Sequence, residues 1–543
     1  MRFLRLILPL LLIAVLAYFW SNALMDSLYA YRSPLSEPLP PGDPLPTRLT
    51  SRLIFVLVDG LRLDTSLDPQ VMPYLNELRA RGASATVHSR PPSYSTPGYG
   101  VLLIGAWPEL NGGPVMNLPY EQTPTWAQDN LFTAAHRAGL RTAVAGLNWF
   151  ERLIPQQAVT LSFYTPLEDH TADQQVLSAV LPWLQERTAD FILVHFDQVD
   201  YAGHNEGGPR DPRWNQAAAR VDGLLRQIGA LLDPERDTLL IVSDHGHISR
   251  GGHGGDESDA LTEPLVLVGA GVRPGHYAEV QQVDIAPTVA ALLGLNLPAA
   301  TQGRVLTEML TLTPDQVDAV RAAERLQQEQ LLRAYSQAIG VPVSPPAASD
   351  EPVRAFQQAL EAARRQRLWR ERLPRTALGL SLLLLILLPL FRLTRQRPAL
   401  AAGALLYILL FHLDYALLQG RTYSLSPVSS AEDLITAAAR STILAFGLGA
   451  LLSFGLLRTR IGTRREATET LLHFTYLSLF LTALPLLLSF IWNGALITWT
   501  LPHFRILFTG FLATIQSLLL AVLGPIFAAL ATLAMRIFTT RST

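Results

Sequence analysis

Residues 52–64 read RLIFVLVDGLRLD, and this stretch decides the fold. A mostly apolar run ends abruptly at Asp59 and Gly60, which predicts a strand that is buried on both faces. Such strands belong to parallel sheets that are covered by helices. A polar side chain directly after a strand of this kind lies at the edge where α/β proteins place their sites.

The same pattern repeats along the chain from residue 50 to about residue 310. Further strand-like runs lie at 141–146, 190–196, 237–243 and 264–270. Amphipathic helices are predicted between them, at 69–81, 126–138, 173–187, 213–232 and 284–294. This alternation predicts an α/β domain with a mostly parallel sheet sandwiched by helices.

Apolar runs of membrane-spanning length flank this region. The first covers residues 6–24, and five more follow at 376–393, 399–418, 439–457, 470–491 and 505–535, the last with Pro525 as an expected kink or break. With 543 residues, 49% of them apolar, and a mean hydropathy of +0.23, the chain combines a soluble part with a membrane part. A cleaved signal peptide ending near Ala30 is the alternative for the first run.

The predicted organisation has five parts. They are a transmembrane anchor (1–25), a linker (26–50), a catalytic domain (51–312), a helical linker region (313–374) and a transmembrane bundle of about five helices (375–543). Charged amphipathic helices are predicted at 314–339 and 350–373, on either side of a proline-rich break.

Arginine-rich short segments set the expected orientation in the cell membrane. These are the loops 392–397 and 458–465 and the tail after Arg536. Placing them in the cytoplasm makes a multi-pass protein with both termini cytoplasmic and an extracytoplasmic catalytic domain. The six arginines of 364–375 run against this charge rule, but long translocated domains escape it. These arginines either cap a solvated helix or contact lipid head groups, which makes membrane lipids expected partners.

Composition excludes several classes of function. The chain has no cysteine, so disulfides, thiolate zinc sites and a cysteine nucleophile are excluded. The net charge is −2, and no basic patch is interleaved with aromatic residues, so no nucleic-acid partner is expected.

Polar residues that suit metal chemistry follow the predicted strands. They are Asp59, Ser95 in SYSTPGYGVLLIG (93–105), Asp200 and His204 in DYAGH, Asp244 and His245 in SDHGH, and His253 in GGHGG. Singly, each has an ordinary explanation as a turn, helix-cap or surface residue. Together, the three Asp and three His suit divalent metals such as zinc. A serine oxygen bound to such a metal is nucleophilic without a histidine base.

The chain carries five motifs in the order DGLRLD, SxPG with an apolar run to Gly105, DxxGH, SDHG and GGHGG. The motifs and their order resemble the phosphodiesterase branch of the alkaline phosphatase superfamily. That branch includes the nucleotide pyrophosphatase/phosphodiesterases and the GPI ethanolamine phosphate transferases. The segment VDIAPTVAALLG (283–294) resembles the last strand and helix of the same fold, so the resemblance covers about 52–310 and implies an alkaline phosphatase-like domain.

The resemblance implies two divalent metal ions. Zinc is the expected metal, and manganese is the alternative. One ion would be held by Asp200, His204 and His253, and the other by Asp59, Ser95, Asp244 and His245. Ser95 would attack phosphorus in line and form a phospho-serine intermediate.

Neighbouring residues leave alternatives open. Thr96 is the rival nucleophile, but counting back from Gly105 favours Ser95. Arg62 either pairs with Asp64 or binds substrate phosphate. His247 and Asp197 match no ligand position of the family.

Differences between these motifs and those of related families reduce the number of reactions that fit the sequence. The residue four after Ser95 is Tyr99, so the C/S-x-P-x-R signature of sulfatases is missing. Ser-x-Pro-Gly differs from the Thr-x-Pro-Asn of nucleotide phosphodiesterases and resembles the ethanolamine phosphate transferases, although those have a longer membrane region. The prediction is a phosphodiesterase on the outer membrane face. The alternatives are a phosphoethanolamine-type transferase moving a head group from lipid to an acceptor, and a non-catalytic scaffold, which the intact ligand set disfavours.

Overall fold

The strand predicted at 52–58 forms as β1 (Arg52–Val58) and is buried along its whole length. In this computed structural model, which describes residues 2–347, 351–457 and 461–540, β1 lies inside a nine-stranded sheet. The other strands are β2 (Ala83–His88), β3 (Thr142–Leu147), β4 (Leu161–Thr165), β5 (Phe191–Phe196), β6 (Asp237–Val242), β7 (Thr262–Gly269), β8 (Gly275–His276) and β9 (Val280–Gln281).

The strand order is β4-β3-β5-β1-β6-β7-β2-β8, with β9 also paired to β2. The first five strands are parallel, and β7 is antiparallel to both of its neighbours. The predicted mostly parallel sheet is therefore confirmed. The sequence patterns missed β2, β4, β8 and β9, because β2 is rich in small residues, β4 is half-buried, and the last two have only two residues each.

Helices cover both faces of this sheet. They are α2 (Leu63–Leu67), α3 (Pro73–Arg81), α4 (Ser95–Ile104), α5 (Leu131–Arg137), α6 (Trp149–Leu153), α7 (His170–Glu186), α8 (Gln198–Asn205), α9 (Pro212–Gly229), α10 (Ile285–Leu293) and α11 (Pro314–Ala338). Successive β1 side chains alternate between two core clusters, one shared with α4, α5 and α10 and the other with α3, α7 and α9. Burial on both faces explains the unbroken apolar run of β1.

Six helices of the described residues are long and apolar enough to cross a membrane, which marks the chain as a membrane protein. Their elements are α1 (Arg2–Tyr29), α12 (Pro352–Gln396), α13 (Pro398–His412) with a π-helical turn (Leu413–Leu418), α14 (Ala431–Leu457), α15 (Arg464–Asn493) and α16 (Phe504–Thr540). The prediction of six spans is confirmed. Position 350 of the predicted helix 350–373, residues 458–460 of the predicted loop and the last three residues of the tail lie outside the described residues.

The separation of helix 350–373 from span 376–393 was wrong, because both belong to α12. Pro374 lies within this helix, where it removes one backbone hydrogen bond. Side chains support the helix across that point: Arg375 pairs with Glu371 at 2.9 Å, and the Thr376 hydroxyl donates to the Arg372 carbonyl at 2.7 Å. Likewise, α16 continues past Pro525 without a break.

The chain divides into two units. One comprises Tyr29–Leu368 and Thr498–Leu501, and the other comprises Met1–Leu28, Trp369–Ile497 and Pro502–Thr543. Within the second unit, α1 packs into the bundle. Its Leu10 is fully buried, and the Tyr476 hydroxyl donates to the Leu6 carbonyl at 2.7 Å.

Candidate metal centre

The sheet order brings the predicted ligands to one edge. The strands β5, β1 and β6 are parallel neighbours, so their carboxyl ends meet there. Asp59 follows β1, Asp244 and His245 follow β6, and Asp200 and His204 lie on α8, directly after β5. Ser95 is the first residue of α4, and His253 lies in the loop 248–257. All seven predicted site residues fall into two adjoining groups.

The first group, the serine site, consists of Asp59, Ser95, Asp244 and His245. The Nε2 atom of His245 lies 3.3 Å from Ser95 Oγ, 3.4 Å from Asp59 Oδ1 and 3.4 Å from Asp244 Oδ2. Ligand atoms of a tetrahedral zinc ion, bound at about 2.0–2.1 Å, lie roughly 3.3 Å apart. The spacing at the serine site therefore fits one divalent ion.

The chemistry of these atoms also fits an ion. The Oδ1 atom of Asp59 and the Oδ2 atom of Asp244 are buried and have no hydrogen-bond partner among the described residues. The Nδ1 atom of His245 lies 3.2 Å from the Gly246 carbonyl, so it carries the proton and leaves the Nε2 lone pair facing the two carboxylates. Converging lone pairs repel one another unless a cation lies between them, so the residues present fit a bound metal.

The second group, the histidine site, consists of Asp200, His204 and His253. The Nε2 atoms of the two histidines lie 2.8 Å apart, and each is 3.4–3.5 Å from an Asp200 oxygen. The Nδ1 atom of His253 donates to the Ser93 carbonyl at 2.8 Å, which directs its Nε2 lone pair into the site. This set supplies three ligand atoms and fits a second ion.

The electrostatics of the carboxylates differ between the sites. Burial, together with the nearby Asp59 and Asp200, raises the pKa of Asp244 well above its usual value. Burial opposes ionisation of Asp200 as well, yet His204, His253 and His247 hold the pKa of its carboxyl well below the usual range. Burial and the crowding of carboxylates together explain the raised pKa of Asp244, and a divalent ion would neutralise that crowding.

The nucleophile candidates have different surroundings. Ser95 Oγ faces His245, whereas the Thr96 hydroxyl donates to the Met116 carbonyl at 3.1 Å and is fully buried. The Asn117 amide oxygen accepts from the Thr96 N–H at 3.0 Å, and its Nδ2 donates to Ser95 Oγ at 3.4 Å. Asn117 was missed, because nothing in the loop around it points to chemistry.

Three other residues contact the predicted ligands. His247 Nε2 donates to Asp200 Oδ1 at 2.7 Å, and its Nδ1 accepts from the Gly252 N–H at 3.0 Å. His195 and Tyr99 both contact Asp59. The histidine inside the buried strand FILVHF is a sequence signal for such a contact, because an imidazole that faces a core needs a polar partner. The prediction from sequence did not use this signal.

Of the two roles predicted for Arg62, pairing with Asp64 and binding substrate phosphate, the contacts support the first. Its guanidinium donates to Asp64 at 2.8 Å, lies 3.2 Å from Asp259, and donates to the His247 carbonyl at 3.1 Å. The donor groups are occupied, so Arg62 supports the loop that carries His247.

Comparisons with known proteins agree with this geometry. Residues 53–251 match the family model of type I phosphodiesterase / nucleotide pyrophosphatase. The human GPI ethanolamine phosphate transferase 2, catalytic subunit, is 30% identical over an alignment 283 positions long, which covers 48% of this chain and 28% of the relative. The mouse GPI ethanolamine phosphate transferase 3, catalytic subunit, is 28% identical, over 49% of this chain and 26% of the relative. The chain thus spans little more than a quarter of these relatives.

Among solved structures, the human ectonucleotide pyrophosphatase / phosphodiesterase 5 aligns with a TM-score of 0.41 and 14% identity, covering 48% of this chain and 100% of that chain. The matched motifs, the sheet and the family model coincide on one domain of this chain. Residues 53–251 of this chain are therefore similar to the type I phosphodiesterase / nucleotide pyrophosphatase family, and six of the seven predicted site residues lie within this stretch.

Proposed function

We propose that this chain is a membrane-bound phosphoethanolamine-type transferase, which moves a phospho-head group from a lipid donor to an alcohol acceptor. The observation that carries the proposal is the position of Ser95 Oγ, 3.3 Å from His245 Nε2 and beside two buried carboxylate oxygens without partners among the described residues. The names of the relatives support transfer over hydrolysis, so the transferase replaces the phosphodiesterase as our first hypothesis.

Two divalent ions, with zinc as the expected metal, would supply Lewis-acid chemistry here by lowering the pKa of a serine hydroxyl and neutralising transition-state charge. Asp59, Asp244, His245 and Ser95 would hold one ion. The three residues of the histidine site would hold the other.

The proposed reaction consists of two successive displacements at phosphorus. Ser95 Oγ gives up its proton and attacks phosphorus in line, while the bond from phosphorus to the lipid oxygen breaks. The lipid oxygen takes up a proton and leaves as an alcohol, and phosphoethanolamine stays esterified to Ser95. An acceptor hydroxyl then attacks the same phosphorus and loses its proton, the bond from phosphorus to Ser95 Oγ breaks, and Ser95 Oγ takes up a proton. The Asn117 amide is fixed by Thr96, so its Nδ2 is oriented to donate to a phosphate oxygen during both steps.

A lipid donor agrees with six membrane-spanning candidates in a chain whose site domain needs no more than one anchor. The proposed arrangement keeps the orientation predicted from the arginine loops, with the site domain extracytoplasmic and both termini cytoplasmic.

The test uses full-length protein in lipid nanodiscs that contain phosphatidylethanolamine with a labelled head group. We expect a chelator to abolish activity, zinc or manganese to restore it, and metal analysis to show about two ions per chain. A series of soluble alcohols at rising concentration should divert label from free phosphoethanolamine to the alcohol product. Diversion at alcohol concentrations far below that of water supports a transferase.

The second candidate is a hydrolytic phosphodiesterase, which the matched family description favours. In that case the label appears as free phosphoethanolamine at every alcohol concentration, and a soluble bis-phosphodiester is cleaved at least as well as the lipid. Full activity in a metal-free preparation would contradict both candidates.

A further inference from the structure

A compact polar cluster lies behind the serine site, inside the core between β1, β5 and α4. It consists of Asp59, Tyr99, His195 and Asp197, and each residue is at most 6% exposed. The Nε2 atom of His195 lies 2.9 Å from Asp59 Oδ2 and 3.0 Å from the Tyr99 hydroxyl. The Tyr99 hydroxyl also donates to the same Asp59 oxygen. Two side chains thus converge on one oxygen of a predicted ligand.

The direction of these hydrogen bonds follows from elementary chemistry. An ionised carboxylate oxygen can only accept, so the hydroxyl of Tyr99 and the Nε2 of His195 must both carry protons towards Asp59 Oδ2. The other oxygen, Oδ1, has no partner among the described residues and lies 3.4 Å from His245 Nε2. The two oxygens of Asp59 therefore have separate tasks.

Packing leaves the two donors little freedom. The Tyr99 ring stacks on Phe150 with centroids 4.6 Å apart, and the His195 ring meets the rings of Tyr99 and Phe150 edge-on. His195 belongs to β5, where it pairs in register with Leu57, two residues before Asp59. Rotation of the Asp59 carboxylate would break both hydrogen bonds at once.

The same atoms allow a different assignment, because Asp59, His195 and Asp197 are close enough to share a third metal ion. Two observations argue against it. The space beside Asp59 Oδ2 is taken by the Tyr99 hydroxyl, and the nearest Asp197 oxygen is 3.8 Å from His195 Nε2.

From this geometry we infer that Tyr99 and His195 are positioning residues, which hold Asp59 Oδ2 so that Oδ1 is presented to the ion of the serine site. The inference rests on the two-metal site of the proposed function. Loss of such an outer partner typically costs about 10–100-fold in metal affinity or activity. Of the three predicted carboxylate ligands, only Asp59 has two side-chain hydrogen-bond donors on one oxygen among the described residues, so the effect should be confined to one of the two ions.

The experiment measures zinc binding to the full chain in detergent, stripped of metal and titrated against a chromophoric chelator. Y99F removes the hydroxyl and keeps the stacked ring, H195L removes the imidazole donor, and H195Q supplies an amide N–H in its place. Y164F is the matched control, because that hydroxyl donates to Gln156 at 3.0 Å and has no hydrogen bond to a predicted ligand among the described residues. None of these measurements requires a substrate.

We expect two ions per chain in every variant. In Y99F and H195L one ion should bind about tenfold more weakly and the other as in the wild type, whereas H195Q and Y164F should stay within about threefold of the wild type. With phosphatidylethanolamine as substrate, kcat should fall in Y99F while KM changes little, because the substrate contacts remain.

Unchanged zinc affinity in both Y99F and H195L would overturn the inference. A third ion that is present in the wild type and lost in H195L would overturn it in favour of a metal cluster. A protein that binds two ions with the expected variant effects but transfers no head group would contradict the proposed function alone. Equal melting temperatures of the metal-free variants would show that the affinity change does not come from misfolding.

Discussion

At the scale of single residues, hydrogen bonds from the protein hold one oxygen of each predicted carboxylate ligand. Asp244 Oδ1 accepts from the Gly60 N–H at 3.2 Å and leaves Oδ2 without a partner among the described residues. Asp59 is held by Tyr99 and His195, and Asp200 by His247. The sites are therefore preorganised, because each ligand is oriented by hydrogen bonds that exist before an ion binds.

The first prediction concerns the nucleophile. Replacing Ser95 with Ala should lower turnover by at least about 10³-fold, because the attacking oxygen is lost. Zinc should still bind, since Asp59, Asp244 and His245 remain. Turnover and bound zinc are measured on the same purified sample.

The matched variant is Thr96→Ala, which should cost less than about tenfold, since the Thr96 hydroxyl contacts Met116 and Asn117 and faces away from His245. The reverse ranking of the two variants would mean that Thr96 is the nucleophile and that the count from Gly105 is off by one.

At the scale of elements, α12 explains the arginines that the charge rule could not place. Arg364 donates to Thr500 at 3.0 Å, and the Arg367 guanidinium lies 4.3 Å from the Trp499 ring centre. Arg372 lies 3.9 Å from the ring centre of Trp492. Arg375 forms a salt bridge with Glu371, so four of the six arginines have partners within the protein. Neither capping of a solvated helix nor contact with lipid head groups, the two roles expected from sequence, includes these contacts.

The second prediction concerns the crossing of α13 and α14. A Cβ atom at Gly403 would lie 2.6 Å from the Gly449 carbonyl oxygen and would also meet the Ser453 hydroxyl, so the helices approach closely only because residue 403 is glycine. Replacing Gly403 with Val should destabilise the bundle by about 1–3 kcal/mol. Thermal unfolding in detergent, followed by size-exclusion chromatography, measures the change.

Gly447→Val is the control on α14, because a Cβ atom there meets nothing within 4 Å. If both variants have the same melting temperature as the wild type, the close approach of α13 and α14 does not contribute to the stability of the bundle.

At the scale of the whole molecule, the third prediction tests the orientation. The natural chain lacks cysteine, so single cysteines report position without a background. A membrane-impermeant maleimide added to intact cells, with any outer barrier opened, should label S36C and S429C and leave R395C unlabelled. R395C should react once the cells are lysed. Labelling of R395C in intact cells together with protection of S36C would reverse the orientation.

Five of the nine strands, and the polar residues that follow them, were predictable because they rest on local patterns. A mostly apolar run that ends at a polar residue marks both the strand and the edge where it ends, and Asp59, Asp244 and Asp200 all lie at or just after such ends. The six spans followed from length and hydropathy in the same way. The two helices predicted on either side of Pro374 form one helix, because the i,i+4 contact between Glu371 and Arg375 supports α12 across a residue where the sequence pattern predicted a helix end.

The sequence by itself thus determined the α/β class, the membrane spans and the candidate ligands, since each depends on residues close together in the chain. Only the tertiary structure decided which oxygen of each predicted ligand is held by hydrogen bonds and which residues hold it. Tyr99 and His195 lie 40 and 136 residues from Asp59 in the chain. Their contacts exist because β1, β5 and α4 pack together, and no local pattern encodes a distance between side chains so far apart in sequence.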